Sequence, residues 1–256
     1  MNQISDVPGV MSPVPMLGDP VGLRYRNSRG RFVDTTLDWV PVEEALAGMP
    51  VREFRSYRGR KHYSGWYWSA TTAGHVVYES RLELARILLA DQDPQVVAIA
   101  AQPFRMEGFD GVRVRRHVPD LLLGFGNGGV TVVDVKAAWR LSDPAVVEQF
   151  AWAREVCSAH GFGFEVWSGC DRVVLENIRF LAGYRRAELI SEQLVPLVLS
   201  AAALPVKLRD LERSLAAPDR RGLVRPVALH LLWSGALRVD LSRALDGDAR
   251  VEAVAR

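Results

Sequence analysis

This 256-residue sequence predicts an α/β fold: a mixed central sheet flanked by helices, followed by a mainly helical C-terminal part. Three observations predict it. Two apolar, β-branched-rich runs, Val118–Phe125 and Val130–Lys136, flank a glycine-rich stretch, the pattern of strand, tight turn and strand. Upstream, Tyr78–Ala90 carries Leu82, Ala85, Leu88 and Leu89 at helical spacing and stops at Asp93-Pro94. Downstream, Asp143-Pro144 sets an acid at a helix N-cap and a proline in its first turn. That helix carries Val146, Val147, Phe150 and Val156, stops near Gly161 and leads into a short buried strand, Phe162–Trp167. Helix, strand, hairpin, helix and strand in that order build a mixed central sheet flanked by helices.

Ahead of these elements, residues 1–50 are rich in proline and glycine (Pro8, Pro13, Pro15, Pro20) and carry a basic stretch from Arg24 to Arg31. An arm, mostly extended or disordered at its start, is expected there. Residues 52–63 then set Arg52, Arg55, Arg58, Arg60 and Lys61 against the one acid Glu53, with Tyr63, Trp66, Tyr67 and Trp68 directly after. Such cations neutralise phosphates, and interleaved aromatics can stack on distorted bases. DNA-backbone contact is the preferred reading for Arg58, Arg60 and Lys61; packing on a strand face is preferred for the aromatics. From about Arg172 the chain turns to helices rich in Leu, Ala and Arg. Leu208–Leu215 and Leu223–Trp233 predict two helices across Pro218–Gly222, and Leu237–Leu241 with Arg250–Val254 a two-stranded wing. Two readings stay open: a winged-helix module with Arg220, Arg221 and Arg225 on phosphates, or a plain stabilising helical lobe. The expected division is 1–50, 51–171 and 172–256.

Composition narrows the function classes. A net charge of +2 makes any nucleic-acid affinity a matter of local clustering. Cys157 and Cys170 lack metal-ligand spacing, so free thiols in a reducing, cytoplasmic setting are expected. The longest apolar run, Leu194–Val206, is broken by Pro196 and Pro205 and is too short to span a bilayer, so no membrane partner is expected. His62, His75, His160 and His230 have no partner at ligand spacing, which leaves zinc without an argument. Residues 124–129 match the dinucleotide fingerprint G-x-G-x-x-G, but the strand Val130–Val133 follows where a helix is required, and the nucleotide reading is rejected.

The hairpin carries the chemistry. His117-Val118-Pro119-Asp120 sets an acid at the head of the first strand, and Val133-Asp134-Val135-Lys136 sets an Asp-x-Lys on the second. Alternation points Asp134 and Lys136 one way, with Val133 and Val135 towards the core. A three-residue loop at Gly126–Gly128 would set Asp120 opposite Asp134; a two-residue turn at Asn127-Gly128 would oppose it to Val135, on the wrong face. The bland alternative is a solvated strand face. Glu79 and Glu83, one turn apart on the upstream helix, could bring a third carboxylate; otherwise Glu83 supports Arg86 on a solvated face. Gln102 lines the site or caps a strand, with structure preferred. His117 and Gln149 are read as surface residues.

In order along the chain, Tyr78-Glu79-Ser80-Arg81-Leu82-Glu83, Asp93-Pro94-Gln95-Val96, Gln102-Pro103-Phe104, His117-Val118-Pro119-Asp120 and Val133-Asp134-Val135-Lys136 resemble the catalytic domain of the TnsA-like transposon endonucleases. These are a branch of the PD-(D/E)xK nuclease superfamily, and the resemblance runs from about Tyr57 to Gly169. It implies a restriction-endonuclease-like fold with Glu83, Asp120, Asp134 and Lys136 as the catalytic set. Glu79 is the alternative helix acid and Gln102 a second accessory candidate. Asp134 departs from the superfamily's commonest Glu and is a shorter ligand. Mg²⁺, with Mn²⁺ able to substitute, would be held by Glu83, Asp120, Asp134 and the Val135 carbonyl. The resemblance further implies double-stranded DNA at transposon ends as substrate, with an integrase-like transposase and an ATP-dependent regulator as partners. Competing expectations are a junction-resolving or restriction-type nuclease, or a DNA-binding adaptor that no longer cuts.

Overall fold

The structure, a computed structural model, describes residues 18–52, 63–220 and 222–254. It opens with β1 (Gly22–Arg26), β2 (Phe32–Thr36) and α1 (Val42–Leu46), then β3 (Gly65–Ser69), β4 (Gly74–Tyr78) and α2 (Arg81–Gln92). The central elements are β5 (Val96–Ala101), β6 (Phe104–Phe109), β7 (Val114–His117), β8 (Leu121–Phe125), β9 (Val130–Val135), α3 (Pro144–Ala159) and β10 (Gly163–Trp167). After them come α4 (Arg172–Leu181), α5 (Val195–Ala201), β11 (Val206–Lys207), α6 (Leu208–Ser214), α7 (Val224–Trp233), β12 (Leu237–Arg238) and β13 (Arg250–Ala253).

The central sheet has the order β10-β9-β8-β5 and is mixed, because β9 and β10 run parallel while the other neighbours are antiparallel. Both of its faces are buried. Leu121, Leu123, Val133 and Val135 face a core shared with Ile87, Leu88 and Ala90 of α2 and Ile178 and Leu181 of α4. Leu122 and Val132 face a second core with Trp152, Ala153, Val156 and Cys157 of α3. This removes the solvated-face alternative for the hairpin: what sequence alternation read as an outward side is the underside of α3. The reason is topological, since a central sheet with a parallel pair is covered on both sides and its strands need not alternate apolar with polar.

The expected arm is corrected for the described residues 18–50. Leu23 and Tyr25 alternate with Arg24 and Arg26, and β1 pairs β2 on one side and β6 on the other, in the four-stranded order β2-β1-β6-β7. Leu23, Tyr25, Phe104 and Met106 form the inner face of this second sheet and close over the α3 side of the core. The glycines and charges that suggested an extended segment belong to the β1–β2 turn and to an exposed sheet face.

Besides the long link from β2 to β5, the chain crosses between the two sheets twice, side by side. It leaves β5 for β6 through Gln102-Pro103 and returns from β7 to β8 through Val118-Pro119-Asp120. The Gln102 N–H donates to the Asp120 carbonyl at 2.9 Å and ties the crossings together. Both prolines sit where no ladder N–H is needed.

At the α2 start, the expected boundary shifts. The helix begins at Arg81, because the Ser80 hydroxyl accepts the Glu83 N–H at 3.0 Å and caps it. Tyr78 ends β4, and Glu79 precedes the cap, so Glu79 and Glu83 do not share a helix face. Arg86 turns to Glu165 (2.9 and 2.7 Å) instead of supporting Glu83. The α3 cap is as expected, with the Asp143 carboxylate accepting the Ala145 N–H at 3.0 Å. β10 is shorter than expected and half-buried, lying at the sheet edge.

In the C-terminal part, the expected helix pair and wing are present, and β11 joins them to give the sheet order β11-β13-β12. The wing strands are only two and four residues long because the chain from Val239 to Ala249 turns back on itself around Asp246. The interior of this part, with Val198, Leu211, Leu229, Leu237 and Val251, is continuous with the core beneath α2. No described helix is long and apolar enough to cross a membrane.

Candidate active site

The hairpin loop decides whether the two acids meet. The Phe125 N–H donates to the Gly129 carbonyl and the Gly128 N–H to the Phe125 carbonyl, both at 2.9 Å, which closes a three-residue loop of Gly126, Asn127 and Gly128. Gly128 has φ +84°, the left-handed position such loops give to glycine. The ladder runs Gly124↔Val130 to Leu121↔Val133, and its next step sets Asp120 opposite Asp134. The parity required by the two-acid reading is the one adopted.

Asp120 lies just before β8, and its carboxylate replaces a strand carbonyl as the acceptor for the Val135 N–H at 2.7 Å. Burial, helped by the charges of Glu83 and Asp134 and opposed by the Val135 hydrogen bond and the Lys136 ammonium, pushes its pKa up to about 7. Glu83 is also shifted upward, first by burial, while Lys136 opposes the shift. The structure therefore brings Glu83, Asp120, Asp134 and Lys136 into electrostatic contact from α2, the crossover and β9. Glu79 contributes through its backbone: its N–H donates to Glu83 Oε2 at 2.7 Å and fixes that carboxylate beside the helix start.

Asp134 is 3 % exposed and lies under α3. His117 Nε2 is hydrogen-bonded to Asp134 Oδ2 at 2.8 Å. Beneath it, burial and the Asp134 charge push the Cys157 thiol up to about 12, leaving it an inert core residue. His117 is thus a site residue that sequence reasoning placed on a surface. Its place three residues ahead of Asp120 was legible, but its inner-facing position opposite Met106 comes from the pairing of β6 with β7. Lys136 extends past β9 with its ammonium 6.0 Å from the Phe150 ring centre on α3.

Two glutamines border this region. Gln102 has φ +46°, is 3 % exposed, and its Oε1 is buried without a hydrogen-bond partner among the described residues. Gln149 Nε2, on α3 one residue before Phe150, is also buried and unpartnered. Gln102 is therefore structural through its backbone bond to Asp120 and still has an amide oxygen to offer. Gln149 is no surface residue.

The donor set suits a hard divalent cation in kind: carboxylates of Glu83, Asp120 and Asp134 and the Val135 carbonyl are all oxygens. Among the described residues no group of three or more histidines, cysteines and acids is placed to hold a metal ion. Magnesium does not need one, since it is held through one or two carboxylates and keeps several waters. Each acid has one oxygen bound to a protein donor and a second oxygen unassigned to that bond.

The remaining expected contacts divide. Arg58, Arg60, Lys61 and Arg221 lie outside the described residues. Arg220 is 3.6 Å from Asp219, and Arg225 pairs with Glu212 at 2.6 Å. α7, which carries Arg225, buries Val224, Val227, Ala228, Leu229, Leu231, Leu232 and Trp233, so most of its surface is committed to the core. Of the aromatics, Tyr67 packs inside while Trp66 is exposed, and Trp68 lies under the guanidinium groups of Arg185 and Arg186. Set against known protein families and against curated proteins, the chain matches none.

Proposed function

We propose that this protein is a magnesium-dependent DNA endonuclease built on a restriction-endonuclease-like core, and that it acts as the TnsA-like subunit of a heteromeric transposase. The observation that carries the reading is the crossover geometry: Asp120, bonded to the Val135 N–H, stands opposite Asp134 with Lys136 and Glu83 alongside. Buried acids crowded beside a lysine cost stability, and such arrangements cluster where chemistry is done.

In this reading Asp120, Asp134 and the Val135 carbonyl would hold Mg²⁺, with Glu83 joining them. When bound, the ion supplies Lewis-acid polarisation of the scissile phosphate and a water of lowered pKa. His117 positions Asp134 through its hydrogen bond, as outer partners of ligating carboxylates do. Lys136 offsets charge on the phosphate, a preorganised electrostatic contribution worth a few kcal/mol. Gln102 Oε1 and Gln149 Nε2 are polar groups able to hold water at the rim. The order α5, β11, α6, α7, β12, β13 follows winged-helix topology, and the burial of α7 favours a role for it in the core or against a protein partner over groove reading. An integrase-like transposase and an ATP-dependent regulator are the partners this reading requires.

The test is nicking of supercoiled plasmid with Mg²⁺ or Mn²⁺, with and without a cognate transposase, for the parent and Asp120→Ala. Nicking by the parent should fall by at least about 10³-fold in the variant, with DNA binding retained. Equal nicking by both proteins would place the activity elsewhere.

A further inference from the structure

Strand alternation in the N-terminal sheet sends Leu23, Tyr25, Phe104 and Met106 inward and leaves Arg24, Arg105 and Arg116 on the outer face. Arg24 on β1 and Arg105 on β6 are directly opposite each other in the ladder. Like charges so placed repel, and a fold gains nothing from the pairing unless an anion sits between them. Around them is a cleft of about 460 Å³ lined by Arg24, Arg52, Arg105 and Arg116, together with Phe32 and His117, and no acid is among its lining residues.

The neighbouring carboxylates neutralise only part of this charge. Arg24 is 3.4 Å from Asp34, with both side chains well exposed, and Arg116 pairs with Glu107 at 2.7 Å. Among the described residues the Arg52 and Arg105 side chains make no ion pair or side-chain hydrogen bond, and the Arg105 charge is felt by Glu107. Exposed pairs of the first kind contribute little and exchange readily for a stronger anion. Phe32 lies under the Arg24 guanidinium at 4.9 Å and holds it flat against the sheet.

We propose that this arginine-lined outer face grips the phosphate backbone of duplex DNA and delivers it to the acid cluster. The proposal rests on the nuclease reading above and adds where the substrate is held. Guanidinium forks match phosphate oxygens two at a time, which favours a phosphodiester over a carboxylate ligand. Several cations spread over adjacent strands suit a repeating anion better than a single phosphate group. Position supports the same occupant: His117 is among the residues lining the cleft, and its inward side chain bonds Asp134, so the cleft and the acids adjoin at one residue.

The experiment is fluorescence anisotropy of a labelled DNA duplex with the full chain in EDTA, across a salt series. The double variant Arg24→Ala/Arg105→Ala should bind at least tenfold more weakly at about 0.1 M salt and lower the slope of log K against log salt by about 2, near one unit per lost phosphate contact. Arg24→Lys/Arg105→Lys should keep most of the slope, and Arg172→Ala, on an exposed helix elsewhere, should match the parent. Equal circular-dichroism melts for the variants would establish that folding is intact; if the Ala pair melts early, the Lys pair and Arg116→Ala carry the comparison. An unchanged slope overturns the proposal, as does tight binding of duplex RNA or a phosphopeptide with none of DNA. The two readings fail separately. Loss of nicking in Asp120→Ala with no change in the arginine variants removes the grip alone. Weakened binding in the arginine variants, with no metal-dependent nicking by the parent, keeps the grip and removes the nuclease.

Discussion

Replacing Asp120 with asparagine is expected to stabilise the metal-free protein at pH 8 and to abolish the metal-dependent nicking proposed above. The folded-state pKa of about 7 lies well above the ordinary carboxyl value, so the protonated acid is the form the fold prefers. Between about pH 4 and 7 the unfolded chain ionises this group while the folded chain keeps its proton. Stability is therefore fully present below about pH 4, declines as pH rises through 7, and is flat above. The decline amounts to roughly 2–4 kcal/mol. Asparagine has the same shape, and its Oδ1 can still accept the Val135 N–H, so the variant should lose most of that decline. Urea denaturation in EDTA at pH 4 and pH 8 checks it: the variant and parent should be close at pH 4 and separate at pH 8. A parent whose stability does not fall over this interval would mean that the acid is better solvated than its neighbours allow. For the parent alone, added Mg²⁺ should restore stability at pH 8, because a cation favours the ionised form.

The second large effect concerns Asp91, near the end of α2 and 5 % exposed. Its carboxylate accepts from the Tyr67 hydroxyl (2.6 Å), the Ser69 hydroxyl (2.6 Å), the Ala70 N–H (3.1 Å) and the Thr71 N–H (2.8 Å). One side chain thus clamps the β3–β4 turn to the helix, and burial with the Asp91 charge pushes the Tyr67 hydroxyl far above its ordinary range. Alanine would leave those donors buried and unpaired, at a cost of about 3–5 kcal/mol. Tyr67→Phe removes one bond and should cost about 1 kcal/mol. Chemical denaturation of both variants gives the comparison. A loss for Asp91→Ala no larger than for Tyr67→Phe would show that water takes over the acceptor role. Because α2 also carries Glu83 at its other end, any nicking found for the parent should be slower in the loosened variant even where it remains folded.

The hairpin was the most legible part of the sequence, because glycine placement and β-branched runs are local signals and the loop length follows from them. Asp143-Pro144 announced α3 for the same reason. The β1–β2 hairpin was not legible. Its strands are five residues each, and their partner, β6, lies some eighty positions downstream, so no local pattern shows what they pair with. Glu83, Asp120, Asp134 and Lys136 could be named from spacing and resemblance. His117 and the arginine face could not, since both depend on how the second sheet closes over the first. The polar side expected for Asp134 was misjudged because a covered central strand hides both of its faces, and the sequence of one strand does not say what covers it.

Since the two short passages between the sheets, at Gln102-Pro103 and Val118-Pro119-Asp120, are tied by one backbone hydrogen bond and His117 is bonded to Asp134, a shift of the outer sheet would bear first on this joint. Load placed on the exterior would then reach Asp134 as a change of aim, as the handles of pliers turn the jaws about one pin.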